Sequence, residues 1–250
     1  MLKAYAAGRV FGVEHGAGPP GVLALHGWAR THRDFLPMMD EVAALALDLP
    51  GFGASPEPPE AWSTADYADC VAVVLDDLGP DPVVVVGHSF GGRVAVQLAA
   101  RHPERVLALV LTGVPSLSRT PGSGRRSPLA YRTARRLHRA GLLGDDRMEA
   151  LRRRHGSPDY RAARGVMRDV LVKAVNESYE APLAAYPGPI ELVWGADDDQ
   201  APLAVAEAAL GHCARGRLTV VADVGHFVPR DAPNALVEAI RRHEGGGQPR

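Results

Sequence analysis

Ser89 lies in Gly87-His88-Ser89-Phe90-Gly91, between an apolar run over residues 82–86 and a run over 92–100 with helical character. A serine on a tight strand-to-helix turn, flanked by glycines that let neighbouring backbone approach, presents its hydroxyl at a sheet edge as a nucleophile. A hydroxyl is weakly nucleophilic at neutral pH and needs a base to take its proton. His226 is the candidate: it follows a strand-like run, and Gly225 permits the sharp loop that carries its ring toward Ser89. A structural histidine in the same loop is the competing reading. The imidazole must be held in one tautomer and its charge offset. Asp197, Asp198 and Asp199 all follow the apolar run 190–195, and charge alone does not choose among them. Their alternative role is capping the next helix; Asp223 is a weaker rival that reads as a turn residue. Charge developing on a substrate carbonyl calls for fixed backbone donors, here the amides of Phe90 and Trp28. The side chains of Trp28, Phe90 and Phe227 are expected to line a pocket for an apolar substrate portion, with plain core packing as the alternative for each. His26 is expected to brace the loop carrying Trp28, and His88 to pack beside the turn.

The elements that must position these residues are legible as short apolar runs. Residues 2–6 and 9–14 read as opening strands around a turn at Gly8. The runs 22–26, 43–47, 83–86, 106–111, 190–194 and 218–222 have the little-alternating pattern of strands covered on both faces. Helices are expected from Ser63 or Thr64 to about 78, with Asp66 in the first turn, and over 89–101, 201–210 and 233–242. Such alternation calls for a mostly parallel sheet with helices on both faces and with chemistry at the carboxyl ends of the strands. From residue 115 to about 183 no strand-like run occurs. A loop to 127 is followed by Arg-rich segments of helical spacing over 131–141, 147–154 and 160–179.

Five motifs stand in order: His26-Gly27-Trp28, Asp48-Leu49-Pro50-Gly51-Phe52-Gly53-Ala54-Ser55, the Ser89 turn, Gly195-Ala196-Asp197-Asp198-Asp199-Gln200-Ala201-Pro202, and Gly225-His226-Phe227. With them the chain resembles the α/β-hydrolase family over nearly its whole length, in a serine esterase or haloperoxidase-like branch. The resemblance implies an α/β fold with a mostly parallel eight-stranded sheet, helices on both faces and an inserted helical cap. Its register, Gly195-x-x-Asp198-x-x-x-Pro202, selects Asp198 as the acid of a Ser89–His226–Asp198 triad. Residues 1–114 and 184–244 are expected to form the core, 115–183 the cap, and 245–250 a disordered tail. Cleavage of a small or medium carboxylic ester through an acyl-enzyme is the implied activity, without cofactor. Thioester, lactone or carbon–carbon bond hydrolysis by the same triad is an alternative, as is a non-catalytic small-molecule receptor on this fold. The Asp-nucleophile chemistry of haloalkane dehalogenases and epoxide hydrolases is disfavoured by Ser89.

At 250 residues and a formal charge of −1, the chain can bury one large core and gives no reason to expect a nucleic-acid partner. Between Arg119 and Asp169, however, fourteen Arg face five acidic residues. That basic segment could draw an anionic substrate group, or could be solvated helix surface; with 26 Arg and two Lys in the chain, coding bias supports the second view. No cluster has metal-ligand spacing, so no metal is expected. Cys70 and Cys213 read as small buried hydrophobes in two helices rather than a disulfide. No run reaches the ~18 apolar residues of a membrane span, and the start of the sequence leads straight into strand-like residues, so a cytoplasmic protein is expected. Oligomeric state is not encoded in any of these features.

Overall fold

The computed structural model describes residues 1–16, 18–118, 133–134, 136–138, 140–144, 147–148, 150–151 and 157–244. Its strands are β1 (Leu2–Tyr5), β2 (Val10–His15), β3 (Val22–Leu25), β4 (Ala44–Asp48), β5 (Val83–His88), β6 (Val106–Thr112), β7 (Pro189–Gly195) and β8 (Arg215–Val221). The described helices are α1 (Leu36–Met39), α2 (Thr64–Leu78), α3 (Phe90–Arg101), α4 (Pro158–Ala162), α5 (Gly165–Asn176), α6 (Glu180–Ala185), α7 (Leu203–Leu210), α8 (Val228–Asp231) and α9 (Pro233–Glu244). The eight strands form one sheet in the order β1-β2-β4-β3-β5-β6-β7-β8. The pairings β1·β2 and β2·β4 are antiparallel and every later pairing is parallel. Strand order reverses around β3, which lies between β4 and β5, and the loops leaving β3 and β5 therefore flank a crevice.

Period-two alternation splits the core into two layers. Leu23, Leu25, Leu45, Leu47, Val85 and Leu109 point to one face, where they meet Tyr67, Val71 and Leu75 of α2 and Val94 and Leu98 of α3. Val22, Ala24, Ala44, Ala46, Val86 and Ala108 point to the other, under Met38 and Met39 of α1 and Leu236, Val237 and Ile240 of α9. Every residue named in these two layers is essentially inaccessible to water, and each large side chain so placed contributes about 1.5–3 kcal/mol.

Local signals set several boundaries. Ser63 begins α2 with a reciprocal capping box: its hydroxyl accepts from the Asp66 N–H at 3.2 Å while the Asp66 carboxylate accepts from the Ser63 N–H at 2.7 Å. The segment expected as one helical stretch over 160–179 is two helices. Ala163 and Arg164 are extended, and Gly165, the first residue of α5, has φ 51°, so the chain breaks between α4 and α5. The expectation that β8 is covered on both faces is corrected. It is the outermost strand, paired only with β7, and Val220 is 46% exposed. An edge strand needs no apolar flanks, so it also takes in Arg215, Gly216 and Arg217 ahead of the apolar run. Cys213 lies in the turn after α7 rather than within a helix; it and Cys70 are free thiols.

A helical cap is inserted between β6 and β7, and α4 and α5 are described parts of it. The anticipated boundary between residues 183 and 184 falls inside α6, whose Leu183 is buried in the main core. Most of the Arg-rich stretch, much of the helices expected over 131–141 and 147–154, and the tail 245–250 lie outside the described residues. Among the described residues no helix is long and apolar enough to cross a membrane.

Candidate active site

The carboxyl ends of five neighbouring parallel strands each deliver one component. β3 leads to Gly27 and Trp28, β5 to Ser89, β6 to Gly113, β7 to Asp198 and β8 to His226. Ser89 has φ 51° and ψ −112°, outside the regions L-residues ordinarily occupy, and is half-buried. The surroundings over-determine that conformation. Its N–H donates to the Thr112 carbonyl at 3.0 Å, and its carbonyl accepts from the N–H groups of Gly92 at 3.1 Å and Arg93 at 3.3 Å. Gly91 N–H donates to the His26 carbonyl at 2.9 Å, and a Cβ on Gly91 would lie 2.1 Å from the Leu25 carbonyl oxygen. Only glycine lets the start of α3 approach β3 so closely. The N–H groups of Phe90 and Trp28 have no hydrogen-bond partner among the described residues.

Of the three consecutive aspartates, only Asp198 is buried. Its Oδ1 accepts from the N–H groups of Gln200 at 2.9 Å and Ala201 at 2.8 Å, and its carboxylate meets His226 Nδ1 at 2.9 and 3.0 Å. Loop bracing and the imidazole contact are thus properties of one side chain. Asp197 and Asp199 face solvent, as does Asp223, a turn residue with φ 57°. With Nδ1 committed to the carboxylate, His226 keeps Nε2 for another partner; no hydrogen bond joins that ring to Ser89 Oγ. Gly113, at φ 55°, packs its backbone against the pair, since a Cβ there would sit 3.0 Å from Nδ1. Nothing in the local sequence singles it out; its positive φ favours glycine, and the arrival of His226 and Asp198 from distant segments crowds any side chain there.

His88 lies beneath this pair, its ring 4.8 Å from that of His226. Burial and the neighbouring His226 push its pKa down to about 3, so it is neutral. His26 is also neutral, lowered to about 4 by burial. Its Nδ1–H donates to the Gly27 carbonyl at 2.7 Å and its Nε2 accepts from the Leu49 N–H at 2.9 Å, tying the loop after β3 to the loop after β4. Asp48 adds a second tie, its carboxylate accepting from His32 N–H at 2.8 Å and Ala54 N–H at 2.9 Å.

Trp28 and Phe90 stack edge-on at 5.3 Å, and Phe52, unmarked as an aromatic contact in the sequence reading, packs on both. A cavity of about 320 Å³ opens here between the core loops and the cap, walled by Trp28, Phe52, Met167 and Ala162 among others. Phe90 is buried behind that wall, and Phe227 lies elsewhere, between His226 and the Arg30 guanidinium 5.2 Å from its centre. Asp159 of α4 reaches solvent, yet partial burial of its carboxyl raises its pKa, opposed by the charge of nearby His226. Among the described residues no group of His, Cys, Asp or Glu could hold a metal ion.

Residues 20–136 match the family described as alpha/beta hydrolase fold. The chain is 30% identical over 254 residues to the dihydrolipoyllysine-residue acetyltransferase component of the acetoin cleaving system of Cupriavidus necator, covering 95% of this chain and 67% of that one. It is 31% identical over 262 residues to the pimeloyl-[acyl-carrier protein] methyl ester esterase of Aromatoleum aromaticum, covering 89% and 98%. Among solved structures, a bacterial membrane phospholipase A superposes with a TM-score of 0.73 at 21% identity, over 98% of this chain and 85% of that one, a likeness of fold. Sheet order, the strained turn at Ser89 and these full-length similarities agree: the chain belongs to the α/β-hydrolase-fold family.

Proposed function

We propose that the protein is a serine hydrolase of small organic carboxylic esters, in the esterase branch of its family. Ser89 Oγ attacks the ester carbonyl as His226 Nε2 takes its proton, and the serine–histidine contact closes when substrate binds. The tetrahedral oxyanion is held by the free N–H groups of Trp28 and Phe90, each worth about 3 kcal/mol in the transition state. His226 returns the proton to the departing alcohol, leaving an acyl-enzyme. Water then attacks with the same imidazole as base, releasing the acid and restoring Ser89. Asp198 keeps Nδ1 protonated and offsets the imidazolium charge throughout. The observation carrying this reading is the buried Asp198–His226 pair packed on His88, the residue that precedes the strained Ser89. The ester esterase of A. aromaticum, similar over 89% of the chain, supports it.

Purified enzyme is expected to hydrolyse p-nitrophenyl esters of short acids, and Ser89→Ala to lose about 10⁴-fold or more in kcat. A fluorophosphonate should add once to the wild type and not to Ser89→Ala, as read by intact mass. Full activity in Ser89→Ala overturns the mechanism; no labelling of the wild type favours a receptor on this fold. One observation favours a second reading, since the C. necator relative is named as an acetyltransferase component. In that case the acyl-enzyme passes its acyl group to an acceptor other than water, and free acid would lag behind released alcohol once acceptor is supplied.

A further inference from the structure

Met167 belongs to cap helix α5, yet its side chain is 6% exposed and rests on the core. A Cβ placed on Gly51 would lie 2.3 Å from Met167 Sδ, so the thioether sits directly on that glycine, in the loop after β4. The loop is a firm floor: Gly51 N–H donates to the Pro56 carbonyl at 2.8 Å, and the Tyr67 hydroxyl donates to the Pro50 carbonyl at 2.9 Å while lying 3.9 Å from Sδ. The same methionine forms part of the cavity wall facing Trp28 and Phe52. Of the charged residues in that wall, Glu57 and Arg164 are one of each sign, so the cavity has no net charge with which to select an anion. At about 320 Å³ it is at the small end of ligand sites, which run to about 1,000 Å³.

We infer that this cavity, which meets the Ser89 turn through Trp28 and the adjoining Gly27, receives the acyl chain of a neutral ester and that Met167 limits the length it accepts. The inference rests on the serine-hydrolase reading above. An unbranched thioether with several rotamers fills an irregular gap but is readily trimmed. Shortening it frees room for added methylenes, each of which changes transition-state binding by roughly ten-fold or more when accommodated.

The test is the ratio of kcat/KM for p-nitrophenyl octanoate to that for p-nitrophenyl acetate. A ratio is independent of how much of a variant is folded, so a merely structural role would not move it. Met167→Ala is expected to raise it about ten-fold and Met167→Val by less, while volume-conserving Met167→Leu leaves it unchanged. An unchanged ratio in both Met167→Ala and Met167→Val overturns the proposal. Ser89→Ala, assayed alongside, separates the two levels: activity retained in it sinks the serine mechanism, whereas activity lost in it with unmoved Met167 ratios sinks this inference alone.

Discussion

At Ser89 the backbone holds a conformation that costs about 1–3 kcal/mol for a residue with a Cβ, and hydrogen bonds from Gly92, Arg93 and to Thr112 keep it there. The strain has a measurable consequence separate from catalysis. Ser89→Gly should be more stable in urea unfolding than Ser89→Ala by about 1 kcal/mol, because glycine adopts φ 51° freely and loses only part of that gain to greater unfolded-state entropy. Equal stability of the two variants would show that the turn is not strained. His26 and His88 make a related point: two histidines near Ser89 are buried and neutral, and His226 beside Asp198 is the one that the proposed mechanism uses as base.

Among the described residues, Arg93 and Glu177 are two of the side chains that join cap to core, and sequence periodicity marks neither. Arg93, on α3 four residues after Ser89, is 6% exposed; it donates to the Pro115 carbonyl at 3.1 and 3.3 Å and lies 5.7 Å from the centre of the Tyr179 ring. It thereby grips the chain on both sides of the inserted segment. Glu177, at the end of α5, accepts from the Thr64 N–H at 3.3 Å and the Tyr179 hydroxyl at 3.1 Å, tying the same stem to the start of α2. Arg93→Ala should cost about 2–3 kcal/mol through its charged hydrogen bonds and buried alkyl stem. Urea unfolding measures it, and a loss under 0.5 kcal/mol, the ordinary surface range, would refute the anchoring role.

Across the whole molecule, the buried imidazoles couple stability to pH. His26 and His88 have folded pKa values of about 4 and about 3, below the unfolded value of about 6.5. The unfolded chain therefore binds more protons between those limits, so their contribution is fully present above about pH 6.5 and is lost as pH falls toward 4 and 3. Urea midpoints should drop between pH 7 and pH 5, well before ordinary carboxylates titrate; a flat profile over that interval would contradict the burial of these rings as neutral bases. The strands of the parallel core, α2 with its Ser63 cap, and the Ser89 turn were legible in the linear chain, since apolar runs, caps and glycine spacing act within a few residues. The outer strand β8, the break at Ala163–Gly165 and the short α1 and α8 carried weaker local signals. The register Gly195-x-x-Asp198-x-x-x-Pro202 already singled out Asp198, the aspartate that the structure buries against His226. What only tertiary structure decided was the close approach of Gly113 to that pair, and that Met167 and Phe52, rather than Phe90 or Phe227, wall the cavity. Those choices depend on segments more than twenty residues apart arriving at one sheet edge, where burial and close contact select among chemically equivalent side chains.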